Sequence, residues 1–435
     1  MKKVLCVLMT MIMVMGLLSA CAMAEEKQIV FTVMGGTVDP ESCKEMWTPF
    51  KTYMESHPNV VFEWTGYETN DSQNRLLLLA EANALPDFSR SVTYITREAE
   101  TLNPDCFLDF SAEFNADPEW SSWYTADQLS PCSSADGTKL YGVPYGVNMQ
   151  CWWVNATKVK NLGFEFPETF DDMLAICKAA KESGDCGIMY CGPMDYWTDW
   201  GFQNFMSRHG FKDIYLDWLD GKVKLSENEE IRKAFEAMAA LTPYLNDDAM
   251  STGYGVGGER FFGTDEAAPE GVFFSAGTWA CPSSPTDDEF VIWHGPTFPD
   301  SACDQTLCIT QSLECVVVGS HVKDDPEKLA VALDFLKYYG GEEACTELAY
   351  YGSSISPTPN FKEDPSRGEF LPEFLSMIDL ANDTRYKNVG SVDAWDGMPA
   401  SFWETWGTIV AGTVSGQLTV DEALAQLDIY AETLE

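Results

Sequence analysis

The chain has 435 residues, of which 45% are hydrophobic and 13% aromatic, and its formal charge is −41. That length exceeds one ordinary core and predicts two lobes. So acidic a surface repels nucleic acid and anionic lipid, which excludes both as partners, and it weighs against an anionic ligand; solubility outside a cell accounts for most of it.

The first residues read as an address. Lys2 and Lys3 precede an apolar run over residues 4–18, broken only by Thr10 and Gly16. The run is short and one-sided for a membrane span, so it predicts a secretion signal. Leu18-Ser19-Ala20-Cys21 looks like a bacterial lipobox. It predicts a signal peptide over 1–20, lipidation of Cys21 and a tether over 21–28. Ordinary cleavage after Ala22-Met23-Ala24 is the competing reading. Loss of both lysines with the signal takes the charge to −43. No later stretch is apolar and long enough to span a bilayer.

Residues 29–34 form a continuous apolar run ended by Gly35-Gly36, the pattern of a strand buried on both faces. A helix follows over roughly 41–56, with Met46, Phe50, Tyr53 and Met54 at helical spacing. Residues 60–64 read as a second strand. Strand, helix, strand implies a parallel sheet covered by helices. Farther on, Thr169 opens a helix that ends near Gly184. Gly253-Tyr254-Gly255-Val256-Gly257-Gly258 matches G-x-G-x-x-G, but Asn246-Asp247-Asp248 precedes it rather than a strand, so it reads as a mobile loop. Residues 315–318 form a short strand. Asp325-Pro326 caps and opens a helix that stops at Gly340-Gly341. Thr419 and Glu422 make a capping box for the last helix. The class is α/β.

Catalytic motifs are missing. The four histidines, His57, His209, His294 and His321, form no H-E-x-x-H, and neither G-x-S-x-G nor a Walker A sequence occurs. Twelve of the 14 cysteines lie beyond Cys21. None has zinc-type spacing, so they read as small buried residues, with one or two disulfides left open. No cofactor is implied. Aromatics are the informative excess: 14 Trp is roughly twice ordinary usage. Trp152 with Trp153, Trp197 with Trp200, and Trp403 with Trp406 are close in sequence. A sugar ring has an apolar C–H face and a rim of hydroxyls, so it needs flat aromatic faces and polar partners at the edge. Asp195-Tyr196-Trp197-Thr198-Asp199-Trp200 and Asp393-Ala394-Trp395-Asp396-Gly397 supply both.

Several blocks resemble a known family. They are Gly35-Gly36; Phe50 through His57-Pro58-Asn59-Val60; Ala84-Leu85-Pro86-Asp87; and Asp136-Gly137-Thr138-Lys139-Leu140-Tyr141-Gly142-Val143-Pro144-Tyr145 followed by Trp153-Val154-Asn155. Phe166-Pro167-Glu168-Thr169-Phe170, Ala276-Gly277-Thr278-Trp279, Ser356-Pro357, Phe402-Trp403 and Ser415-Gly416-Gln417-Leu418-Thr419 complete the order. The chain resembles the family 1 extracellular solute-binding proteins of ABC importers, of the maltodextrin-binding type. That resemblance implies a two-lobed periplasmic-binding-protein-like fold of type II. Each lobe would be a mainly parallel sheet flanked by helices, with a ligand cleft between lobes. It places residues 29–146 and 290–348 in the N-terminal lobe and 147–289 and 349–435 in the C-terminal lobe. Hinge crossings would fall near 145–148, near 289–296 and near Tyr350, and closure would bury the ligand. It further implies stacking by Trp279 and Trp403, a polar hinge contact from Asn148, and second-lobe contacts from Asp195, Tyr196 and Trp197. First-lobe contacts would come from Arg90 and Tyr94. Trp395 joins them from its Asp-rich loop. Asn148 departs from the acidic residue common at its position.

The expected function is therefore capture of a neutral mono- or oligosaccharide by a monomeric, lipid-anchored, non-enzymatic protein on the extracytoplasmic face, for delivery to ABC permease subunits. Another small solute, such as a polyamine or a metal complex, is the alternative. Tyr350-Tyr351 invites a ferric reading, yet Tyr338-Tyr339 forms the same pair in a plain amphipathic helix. A glycoside hydrolase is the third reading, but with 68 acids paired carboxylates are certain to occur.

Overall fold

A computed structural model describes residues 27–67, 69–192, 200–282, 288–309, 312–351, 355–356, 358, 360–390, 392, 395, 397–399 and 402–434. Among the described residues the strands are β1 (Ile29–Gly35), β2 (Val60–Gly66), β3 (Phe88–Val92), β4 (Gly142–Asn148), β5 (Gln150–Asn155), β6 (Ile188–Met189), β7 (Phe273–Gly277), β8 (Phe290–Trp293), β9 (Leu307–Cys308), β10 (Ser312–Val318) and β11 (Lys387–Asn388). They form a five-stranded sheet ordered β2-β1-β3-β10-β4, a four-stranded sheet ordered β6-β7-β5-β8, and the pair β11-β9.

The first sheet begins as its pattern predicts. Helix Lys44–Ser56 returns the chain from β1 to β2, which pair in parallel from Ile29↔Val60 to Gly35↔Gly66. Strand β1 is exposed at Val30 and Thr32, so only its C-terminal half is covered on both faces. Phe31, Phe50, Phe62, Phe88 and Phe335 pack as a buried aromatic core; the rings of Phe50 and Phe335 lie 4.5 Å apart. Asp87 fastens β3 to β1 by accepting from Thr32 N–H (2.8 Å) and Thr32 Oγ1 (2.9 Å), and Lys328 donates to it at 2.7 Å. Burial alone would raise this carboxyl, but those donors outweigh it and leave the pKa lowered.

The second sheet separates the two neighbouring tryptophans. Successive residues of a strand face opposite sides. Trp152 and Phe273 therefore join one core, while Trp153 and Phe274 join another on the opposite face. Both tryptophans are fully buried packing residues.

Strand directions are more mixed than a mainly parallel sheet. Strand β10 runs antiparallel to both β3 and β4, and β5 runs antiparallel to both β7 and β8; β6 is parallel to β7. The lobe boundary expected at residue 290 also moves. Strand β8 pairs with β5, and Trp293, Phe298 and Ile309 belong to the second sheet's core. Strand β10 is then part of the first sheet. The two other passages are short: β4 runs into β5 through Met149, and helix Glu342–Tyr351, packed on helix Lys44–Ser56, precedes Ile355 in a second-lobe core.

Local capping follows the sequence. Thr169 and Asp172 form a capping box for helix Phe170–Glu182, as Thr419 and Glu422 do for Val420–Glu432. Asp325 caps Pro326–Tyr339 by accepting from Glu327 N–H and Lys328 N–H. The glycine-rich stretch is not a loop. Tyr254–Phe262 is a helix, held by buried Phe261 and Phe262. A Cβ on Gly257 would lie 2.2 Å from Cys191 Sγ, so glycine there permits a close approach that outweighs its poor helix propensity. None of the twelve cysteines beyond Cys21 is in a disulfide, and among them only Cys303 is not buried.

Candidate ligand-binding cleft

In the first sheet, β1 ends in two glycines. A Cβ on Gly35 would lie 1.8 Å from the Trp64 ring, and one on Gly36 would lie 2.7 Å from Arg90 Cδ. The glycines thus let an indole and a guanidinium lie flat against the strand end. Trp64 Nε1 donates to Thr37 O at 3.1 Å, and Trp47 meets its ring edge-on at 5.4 Å. Arg90, on β3, reaches across to β10 and β4. Its Nε donates to Glu314 Oε2 (2.9 Å) and Tyr145 Oη (3.1 Å), and its Nη2 donates to Glu314 Oε1. The side chains of Arg90 and Glu314 are only 8% and 14% exposed. A bidentate fork of this kind fixes both groups and cancels their charges.

In the second sheet, β7 ends at Gly277 and runs into the turn Thr278–Ala280. The Trp279 ring folds back over Gly277, where a Cβ would lie 2.0 Å from it. Trp200, the first residue of helix Trp200–Ser207, meets Trp279 at 4.1 Å with the rings at 86°. Tyr254 lies beside them, stacked on Phe274 at 5.7 Å; burial drives its phenol upward, an effect that Trp279 partly opposes. Thr278 joins this turn to the strand passage. Its hydroxyl accepts from Met149 N–H at 3.1 Å and faces Asn148 Oδ1 at 3.5 Å. Trp153 Nε1 holds Gly277 O at 2.9 Å.

The expected contacts divide on this frame. Arg90 is buried in the first sheet and paired with Glu314. Asn148 and Trp279 are brought together through Thr278. Tyr94 is separate: half-buried against the first core, it donates to Gln73 Oε1 at 2.8 Å. Trp395 is corrected. It is 4% exposed, packs with Phe211 and Tyr215, and carries Lys212 Nζ 4.0 Å from its ring centre. Its Nε1 donates to Val389 O at 2.9 Å, so ring and N–H serve the core of its own loop rather than a stacking face. Trp403 is carried by helix Phe402–Val414, and its side chain lies outside the described residues. Asp195, Tyr196, Trp197 and Cys21 also lie outside them. Tyr350 is occupied: its hydroxyl accepts from Asp364 N–H at 2.6 Å and faces the carbonyls of Asp364 and Gly368.

Sequence reasoning passes over Glu314, Tyr145 and Trp64. A lone acid inside the apolar run 313–318 was the available signal for Glu314. An open depression of about 420 Å³ elsewhere in the second lobe is lined by Lys181, Asn246, Asp248, Met250 and Ser415, and by none of the expected contacts.

Comparisons with known proteins bear on the family and the fold. Residues 49–369 match the family model described as bacterial extracellular solute-binding protein. Among solved structures, one from work on xylan utilization by the thermophilic bacterium Caldanaerobius polysaccharolyticus is 16% identical. The match covers 92% of this chain and 100% of that one, with a TM-score of 0.74. A chitin oligosaccharide binding protein is 15% identical over 93% of this chain and 98% of its own, also with a TM-score of 0.74. A sugar transporter protein from Bacillus licheniformis in complex with stachyose is 13% identical over 94% and 100%, with a TM-score of 0.69. At these identities the likeness is one of fold, the two-lobed α/β clamp. No curated protein matches the sequence. The family match spans well over half of the chain and coincides with that fold: the chain belongs to the bacterial extracellular solute-binding proteins.

Proposed function

We propose that this protein captures a neutral mono- or oligosaccharide between its lobes and delivers it to the permease of an ABC importer, without catalysing a reaction. One observation carries the reading: the second sheet ends in an aromatic corner, Trp200 against Trp279, and the buried Arg90–Glu314 pair of the first sheet is internally neutralised. Indole faces suit the C–H face of a pyranose, and fixed amide, hydroxyl and carboxylate groups suit its rim. Arg90 matched to Glu314 offers no net charge for an ionic solute. The ligands of two structural relatives, chitin oligosaccharide and stachyose, are of the same class. In this reading Trp279, Trp403 and Asn148 contact the sugar with Asp195, Tyr196 and Trp197, and Arg90 shapes the cleft floor. The lipobox segment supports anchoring through Cys21, which would hold a monomeric clamp near its permease.

A thermal-shift screen against mono- and oligosaccharides tests the reading. A ligand at 100 times its Kd adds about 2.7 kcal/mol to stability, an easily read shift. Silence toward every sugar, with a response to a polyamine or a ferric complex, would overturn it.

A further inference from the structure

The family is extracellular, yet this chain buries eleven cysteines that form no disulfide. Two of them meet. Cys132 ends the turn Ser130–Cys132, which packs against β10, and Cys315 lies on β10 one residue beyond Glu314. Cys315 Sγ is 3.7 Å from Pro131 O, the residue before Cys132, and 3.5 Å from Ser91 O. Cys132 Sγ is 3.3 Å from Leu129 O. Each thiol is the other's side-chain neighbour, and both residues are fully buried.

We propose that Cys132 and Cys315 are a disulfide-forming pair that closes when the chain folds in an oxidising compartment, tying the turn behind the cleft to the strand that carries Glu314. This goes beyond the binding function and stands independently of the ligand's identity. The chemistry is thiol–disulfide exchange. One thiolate attacks a small disulfide such as oxidised glutathione, forms a mixed disulfide and releases one reduced thiol. The second cysteine then attacks the mixed disulfide, forms the intramolecular S–S bond and releases another reduced thiol. Two protons leave the cysteines, and the two electrons pass to the glutathione disulfide. Burial pushes the Cys132 thiol well up, so the docked Cys132 is a poor nucleophile and the bond forms before the turn packs on β10. The bridge would enclose the whole excursion through the second sheet, residues 149–309, a long loop whose closure restricts the unfolded chain.

The test uses the unmodified full chain. It is unfolded with reductant, refolded in a glutathione redox buffer, alkylated in denaturant, and mapped by mass spectrometry without reduction. The expected product is a peptide pair joined through Cys132 and Cys315, about 2 Da lighter than the sum of its parts. Dithiothreitol should release it, and Cys132→Ser should leave Cys315 alkylated. The oxidised protein should also show a higher urea midpoint than the reduced one. Alkylation of both cysteines after oxidative refolding, or linkage of either to a third cysteine, overturns the proposal.

Discussion

Replacing Glu314 by Ala should cost the folded state far more than a surface mutation. Arg90 would keep Tyr145 at 3.1 Å but lose both carboxylate contacts, and its side chain is only 8% exposed. Removing one partner of a buried ion pair leaves an uncompensated charge and costs roughly 3–5 kcal/mol. Glu314→Gln keeps an oxygen acceptor but exchanges a charge-assisted bond for a neutral one, so about 1–2 kcal/mol is expected. The double variant Arg90→Met with Glu314→Leu removes charge and partner together and should fall within about 1 kcal/mol of the parent. Urea unfolding of all four proteins, read by tryptophan emission, gives the comparison. A Glu314→Ala loss below about 1 kcal/mol, or a double variant worse than either single one, would refute the view of a desolvated, mutually dependent pair.

Three further predictions follow from other parts of the fold. His294 is buried beside Arg208, and burial first, then that guanidinium, hold its pKa at about 4. Between about pH 6.5 and 4 the unfolded chain takes up a proton that the folded chain refuses, so stability falls by about 3 kcal/mol as pH drops through that window. His294→Phe should remove this share of the acid dependence; urea midpoints at several pH values measure it, and an unchanged slope would count against it. Gly277→Ala should destabilise by roughly 1–3 kcal/mol and shift tryptophan emission, because the new Cβ would lie 2.0 Å from Trp279 and 2.5 Å from Met149 O. A variant with parental stability and spectrum would mean that the ring does not rest there. Thr278→Val should cost about 1–3 kcal/mol by stranding the buried Met149 N–H, and Thr278→Ser should restore most of it; equal losses in the two variants would assign the effect to packing instead.

What the sequence made legible was local. Thr169, Asp325 and Thr419 satisfy N–H groups two or three residues away, so their caps are readable from spacing alone. The β1–helix–β2 unit is equally local. Pairing over long separations was not. Strand β8 is a short apolar run like any other, and only its partner β5, far upstream, assigns it to the second sheet. Glu314 hid for the same reason, since Arg90 lies 224 residues away. Gly253 to Gly258 looked mobile because glycine disfavours helix, while the packing that decides the matter comes from Phe261, Phe262 and Cys191. Trp395 looked like a ligand face because Asp flanks it, yet Lys212 and Tyr215 cover the ring.

Titration calorimetry of the full chain and of Trp279→Ala, against a panel of neutral oligosaccharides with a polyamine and ferric citrate beside them, tests the central claim most directly. The parent should bind at least one sugar and neither ionic solute. Trp279→Ala should lose about tenfold or more in affinity for that sugar, the equivalent of roughly 1.4 kcal/mol. Binding of an ionic solute with no sugar bound, or a sugar affinity unchanged in Trp279→Ala, would contradict it.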